Sequence, residues 1–280
     1  MTGPRFVAPE PLRGWRVVVT RPRSQSAALD GLLTKLGANV VLLPTIEITD
    51  PPSFDALDRS LRSLAAGAYE WTVLLSVNAV RQVMMRLDAL SLEPAVISRS
   101  RVVAVGRASS DALAAAGVEP DLVPETSSAA GVASALGSGR GRVLIPRAAE
   151  APAGATDQMR THGWEVDEVV AYKTVPAAAG EGLDAVRRHE FDVVTFSSGS
   201  TVRGLSALVT AAEAGLTPDD RGAGRVACIG PVTARVALEL GYRVDAVATE
   251  QSAEGLLQAV VGLREVASSS AATGDGTMAK

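Results

Sequence analysis

Cysteine is almost missing from this chain of 280 residues: only Cys228 occurs, so no internal disulfide can form. Its apolar neighbours place that thiol inside a strand, where burial makes it inert rather than nucleophilic. Histidine is nearly as scarce, and His162 and His189 are too few and too far apart in sequence to suggest a metal cluster, so no metal is expected. Aromatic residues make up only 4% of the chain. No run of about 18 apolar residues exists, so no membrane span is expected. The stretch Met1 to Gly14 has Pro4, Pro9 and Pro11 but no apolar signal core, which leads us to expect a cytoplasmic protein. Excess positive charge is also lacking: the net charge of −4 gives no general attraction to nucleic acid, and an anionic ligand would need local groups to attract it. The chain has no Ser, His and Asp arrangement, no metalloprotease motif, no P-loop and no paired carboxylates near a strand end. An enzyme built this way works by positioning and hydrogen bonding, with few acid or base groups.

What is present is a soluble composition, 47% apolar, dominated by Val, Leu and Ala as buried parallel strands under helices require. The chain is also duplicated. Val226 to Gly230 matches Val102 to Gly106 at an offset of 124 (230 minus 106), and the ungapped match carries Gly117 onto Gly241, Asp121 onto Asp245, Ser128 onto Ser252 and Gly131 onto Gly255. Val17 to Arg21 answers Val143 to Arg147 at an offset of 126, and Leu75 to Arg81 answers Ser197 to Arg203 at 122. A period this long is a whole domain rather than a solenoid unit. Two similar domains with a site between them are therefore expected.

Apolar strands are expected at Arg16–Thr20, Asn39–Leu43, Trp71–Leu75, Arg101–Val105, Glu119–Val123, Arg142–Ile145, Glu165–Val169, Phe191–Phe196, Arg225–Ile229 and Arg243–Val247. Amphipathic helices separate them, with Gly37, Gly117, Gly163 and Gly241 as stops. One helix carries Val80, Val83, Met84 and Leu87 at core spacing. Two extended segments, Thr45–Thr49 and Ala171–Val175, stand outside this alternation. Gly137-Ser138-Gly139-Arg140-Gly141 precedes a strand instead of following one, so it is a plain turn and not a phosphate-binding loop. From about Ser268 the chain is Ser, Ala, Gly and Thr without periodicity, and a disordered tail is expected. Alternating strands and helices mean α/β architecture with parallel sheets covered on both faces.

In open parallel sheets ligands bind outside the carboxyl ends of the strands, where helix N-termini present free amides. The sequence places small or hydroxylated residues there: Ser76 and Asn78, Gly106 and Ser109, Ser197 to Ser200, Gly230 and Thr233. Helix capping alone explains such residues in most proteins. Their recurrence in both halves, with Arg21, Arg23, Arg107 and Arg147 at the same strand ends, favours binding of a ligand with several carboxylates or phosphates.

Val18-Val19-Thr20-Arg21-Pro22, Leu43-Pro44-Thr45-Ile46-Glu47-Ile48, Val105-Gly106-Arg107-Ala108-Ser109, Phe196-Ser197-Ser198-Gly199-Ser200-Thr201-Val202 and Ile229-Gly230-Pro231-Val232-Thr233-Ala234 together resemble the uroporphyrinogen-III synthase family, over about Trp15 to Leu263. The resemblance implies two flavodoxin-like parallel-sheet domains joined by a two-stranded antiparallel linker. One domain would comprise residues 14–44 and 176–263, the other 50–170, with 45–49 and 171–175 as the linking ladder and 264–280 as a tail. The implied reaction is cyclisation of hydroxymethylbilane, a linear tetrapyrrole with eight carboxylates, to uroporphyrinogen III with inversion of the last ring, by a monomer and without a cofactor. Tyr172 matches the family's candidate for protonating the leaving hydroxyl. Arg21, Ser76, Asn78, Gly106, Arg107, Ser109, Arg147, Ser197, Ser198, Gly199, Ser200, Gly230, Pro231, Val232 and Thr233 would bind substrate. Leu75, Val77 and Val232 depart from the family's usual residues there, and Leu75 and Val232 cost the site hydroxyl donors. Two other readings are a non-catalytic ligand-binding or regulatory protein of the same fold, which would usually carry a DNA-binding segment not seen after Leu263, and a synthase that works beside a methylating partner.

Overall fold

A computed structural model describes residues 10–151, 154–178, 180–220, 222 and 224–274. The chain begins β1 (Arg16–Val19), α1 (Arg23–Lys35), β2 (Asn39–Leu42), β3 (Ile46–Thr49), α2 (Asp55–Ala65), β4 (Trp71–Leu74), α3 (Val77–Ala89), β5 (Arg101–Ala104) and α4 (Arg107–Ala115). It continues α5 (Ala129–Leu136), β6 (Arg142–Ala148), α6 (Asp157–Thr161), β7 (Glu165–Pro176) and α7 (Glu181–Arg187). Last come β8 (Val193–Phe196), α8 (Gly199–Leu208), β9 (Arg225–Cys228), α9 (Pro231–Glu239), β10 (Ala246–Val247) and α10 (Ala253–Gly274). The described residues up to Glu47 together with those from Pro176 onward form one compact unit, and the described residues between Ile48 and Val175 form a second.

The first unit's sheet runs β2-β1-β8-β9-β10, and its registered pairs are all parallel. Numbered by appearance within that unit the order is 2-1-3-4-5, the flavodoxin-like arrangement. The strands are Val-rich because both faces are covered. Val17 and Val19 pack with Trp15, Leu29, Leu33 and Leu256 on one side, whereas Val18 joins Phe196, Leu205 and Tyr242 on the other.

The second unit's sheet runs β3-β7-β6-β4-β5. Beginning the count at β6 makes β7-β6-β4-β5 the same 2-1-3-4 order, so this unit is a circularly permuted copy of the first. That permutation leaves the repeated blocks in the same order twice along the chain but rotates them within the second unit, which holds those at Leu75, Val102 and Val143 where the first holds those at Val17, Ser197 and Val226. Its core is again split by the sheet, with Leu57, Leu61, Leu64, Val80, Val83 and Leu87 on one face and Trp71, Val73, Val132 and Trp164 on the other. Met84 packs against the former group only in part.

The repeat's aspartates have a shared task. Asp121 Oδ2 accepts from the Val102 amide at 2.6 Å, and Asp245 Oδ2 accepts from the Val226 amide at 2.8 Å. Each carboxylate satisfies the amide near the start of its neighbouring strand, a role the sequence pattern marked but did not explain.

Three expectations need correction. The strand expected at Glu119–Val123 is reduced to a single bridge from Leu122 to Val103. Pro120 and Pro124 flank it, and proline has no amide to extend a ladder. The extended segment after Val169 is no separate element, because β7 runs unbroken from Glu165 to Pro176 with β3 beside it. Finally, α10 continues past Leu263 to Gly274, so the expected tail is helical that far; residues 275–280 lie outside the described residues. The Ser268 and Ser269 hydroxyls donate to the carbonyls of Arg264 and Glu265, four residues back, so these serines are accommodated within the helix instead of ending it.

Candidate functional site

In the second unit the carboxyl end of β4 and strand β7 bring Ser76, Asn78 and Tyr172 together. Ser76 caps α3: its Oγ accepts from the Ala79 amide at 3.1 Å. The same oxygen lies 2.9 Å from the hydroxyl of Tyr172. Because the cap occupies one lone pair, the Ser76 proton is free to point at the phenol oxygen. Tyr172 is only 7% exposed, and burial raises its pKa above the ordinary tyrosine value while hydrogen bonds from Ser76 and Asn78 pull the other way. The charge of Glu150 adds to the upward shift.

A bulge aims this tyrosine. The parallel register of β6 and β7 pairs Arg147 with Val170 but Ala148 with Tyr172, leaving Ala171 as an extra residue. Ala171 and Tyr172 are consequently buried in succession, where regular alternation would have turned one of them outward. Nothing in the period of the sequence signals this step.

At the end of β5, Gly106 is the N-cap of α4 and provides no side-chain cap. Its φ of 79° is open to glycine at little cost, and a Cβ there would stand 3.2 Å from Ser127 Oγ. The first-turn amides around Arg107 therefore have no capping side chain. Arg107 is exposed and pairs only loosely with Asp111, at 3.8 Å. Ser109 is buried, 2% exposed.

Arg147 is occupied within its own unit. Its Nε lies 2.8 Å from Glu168 Oε2, without the alignment of a hydrogen bond, and its Nη1 donates to the Ala151 carbonyl at 2.9 Å. Burial opposes the ionisation of Glu168, but Thr156, Arg160 and Arg147 outweigh it and hold the carboxyl below its usual range. Sequence reasoning gave Arg147 a substrate and missed Glu168, Thr156 and Glu150, which lie on no repeated block.

The first unit repeats part of this design. Ser198 caps α8, accepting from the Thr201 amide at 3.2 Å, while the Thr201 hydroxyl accepts from the Ser198 amide at 3.3 Å. Ser197, Gly199 and Ser200 lie beside it, half-buried. Gly230 is the N-cap of α9, again without a side-chain cap, and Pro231 opens the helix. Val232 is 51% exposed and Thr233 is buried. Arg21, half-buried at the end of β1, has its pKa lowered by burial, with the charges of Asp30 and Glu254 opposing. β1 and β8, which carry Arg21 and Ser197 to Ser200, are the adjacent strands at which the order of this sheet reverses, the place where ligands bind in such folds. Cys228, as expected, is buried, and its thiol is pushed up to about 12 by burial and by Asp245.

Both units are thus flavodoxin-like α/β domains in which serine-capped helices α3 and α8 alternate with glycine-capped α4 and α9 at the strand ends. Such a protein is a two-domain α/β protein with uncapped helix amides at the strand ends and a buried phenol at one set of them. The family model for uroporphyrinogen-III synthase HemD matches residues 27–258. The uroporphyrinogen-III synthase of Synechococcus elongatus is 31% identical over 264 residues, covering 91% of this chain and 97% of that protein. A mutant uroporphyrinogen III synthase of Thermus thermophilus superposes with a TM-score of 0.65 at 22% identity, covering 90% of this chain and all of that one. The enzyme of Helicobacter pylori superposes at 0.57 with 16% identity, over 89% of this chain and 99% of its own. The chain belongs to the uroporphyrinogen-III synthase family.

Proposed function

We propose that this chain closes hydroxymethylbilane to uroporphyrinogen III with inversion of the last ring. The observation that carries the reading is the buried Tyr172 hydroxyl 2.9 Å from Ser76 Oγ. A general acid must hold its proton at neutral pH and must also tolerate losing it. Burial serves the first need, and the hydrogen bonds from Ser76 and Asn78 serve the second. Tyr172 gives its proton to the substrate hydroxyl as the carbon–oxygen bond breaks, and water leaves. The azafulvene so formed is attacked through the last ring, the spiro intermediate rearranges, and the proton released on rearomatisation restores the phenol.

In the second unit the uncapped amides of α4 with Ser109 and Arg107 suit substrate carboxylates, and the first unit offers the same chemistry in the amides of α9, the hydroxyls of Ser197, Ser198, Ser200 and Thr233, and Arg21. Val232 contributes its amide rather than a hydroxyl. No cofactor enters this scheme. Among the described residues no helix is long and apolar enough to cross a membrane, and we take the chain to act as a cytoplasmic monomer without nucleic acid.

The test is incubation of the purified protein with fresh hydroxymethylbilane, followed by oxidation and separation of porphyrin isomers. Isomer III above the protein-free control is expected, and Tyr172→Phe should lower the rate about 10²-fold or more. Isomer I alone, at the uncatalysed rate, would overturn the enzyme reading and favour a ligand-binding protein of the same fold.

A further inference from the structure

Strand β6 stops at Ala148, but β7 runs on to Pro176. Beyond that point the loop after β6 keeps hold of β7 by two bonds that are not part of the ladder. The Ala149 amide donates to the Tyr172 carbonyl at 2.9 Å. The Thr174 amide, two residues further along β7, donates to Glu150 Oε2 at 2.8 Å. The Glu150 carboxylate thus occupies the place that the next carbonyl of β6 would have taken. Because side chains alternate along a strand, Thr174 has the same facing as Tyr172, so fixing its amide fixes the rotation of β7 just past the bulge.

From this geometry we propose that Glu150 is a positioning residue: it holds β7 so that the Tyr172 hydroxyl stays on Ser76. The assignment rests on the synthase reading of Tyr172; the hydrogen bond of Glu150 goes to the Thr174 amide, and its charge acts on the phenol besides. Arg147 serves the same loop from the other side, through its bond to the Ala151 carbonyl and its pairing with Glu168. A carboxylate accepting from a backbone amide makes one of the stronger kinds of hydrogen bond. It also requires only an oxygen acceptor, which a glutamine can replace.

The experiment compares Glu150→Ala and Glu150→Gln with the parent chain in two readouts: steady-state formation of isomer III, and alkaline ultraviolet titration of Tyr172, isolated as the difference from Tyr172→Phe. For Glu150→Ala we expect kcat to fall about 10-fold, KM to stay within about twofold, and the Tyr172 phenol to ionise at lower pH than in Glu150→Gln, since both variants lose the charge that raises its pKa and only the alanine loosens the strand and admits water. Glu150→Gln should recover most of the lost kcat, because its amide oxygen accepts the same bond. Unchanged kcat in Glu150→Ala, or a Tyr172 titration that is the same in Glu150→Ala and Glu150→Gln, would overturn the proposal, and so would a Glu150→Gln variant as impaired as Glu150→Ala. If the parent chain makes no isomer III, the synthase reading fails by itself. The difference between the Tyr172 titrations of Glu150→Ala and Glu150→Gln then still decides whether Glu150 places the phenol.

Discussion

Tyr172 and Cys228 are both buried acids, yet their surroundings give them opposite uses. The phenol has Ser76 and Asn78 to receive its charge, whereas the thiol has only apolar neighbours and the unfavourable charge of Asp245. The first arrangement permits proton loss and the second forbids it. The inert thiol could be read from Cys228's apolar flanks alone. The tyrosine could be found only through family resemblance, since Ala171-Tyr172-Lys173 has no local feature that separates it from a core aromatic. Cys228 gives a pH prediction with a definite sign. In the unfolded chain the thiol ionises near 9.0, but in the folded chain it keeps its proton to about 12. Between those values unfolding releases a proton, so stability falls as pH rises, by at most about 1.4 kcal/mol per pH unit from this group. Urea unfolding across that window should show a steeper loss for the parent chain than for Cys228→Ala. Parallel curves would show that the thiol does not stay protonated in the fold.

At the level of elements, strands and helix stops were the most legible features because each rests on a local cause. Gly37, Gly117, Gly163 and Gly241 all adopt positive φ past a helix end, as their positions in the sequence required. The failures also have local causes that periodicity does not register: prolines on either side of Leu122, and a bulge between β6 and β7. The two glycine caps show how equivalent positions in a repeat can diverge. Gly106 has φ 79°, but Gly230 is extended at −178°, a conformation any residue adopts. A Cβ on Gly230 would meet Gln251 Cγ at 2.9 Å, and that belongs to a flexible side chain. Gly106→Ala is therefore expected to cost about 1–2 kcal/mol from left-handed strain. Gly230→Ala should cost under half as much, and the difference is measurable by chemical denaturation of the two variants. Equal losses would mean that the backbone at Gly106 relaxes out of the left-handed region.

At the scale of the molecule, the sequence shows duplication but its order conceals the permutation. The repeated blocks do not say which strand begins a domain; strand neighbours do, and they place β1 and β2 with β8 although Leu42 and Val193 are 151 positions apart (193 minus 42). The chain crosses from one unit to the other within β3 and again at the end of β7. Residues 48–175 are thus a continuous insert with its own two-sided core around Leu57, Leu61, Leu87, Trp71 and Val73. In the interrupted unit the two points of insertion are neighbours, since the Ala177 amide donates to the Thr45 carbonyl at 3.1 Å. A turn of about two to four residues is enough to join adjacent strand ends. Two separate proteins should therefore be obtainable from this one chain: residues 48–175 alone, and the remaining unit with Glu47 joined to Pro176 through a short turn. Each keeps a sheet covered on both faces, the 48–175 unit losing only Ile46 and Glu47 of its edge strand β3, and such a two-sided core is the condition for independent stability in an α/β domain. Each is expected to unfold in urea as a single cooperative transition, with a slope reduced in proportion to its size. A broad, non-cooperative transition in the 48–175 fragment would mean that its core needs the rest of the chain to fold.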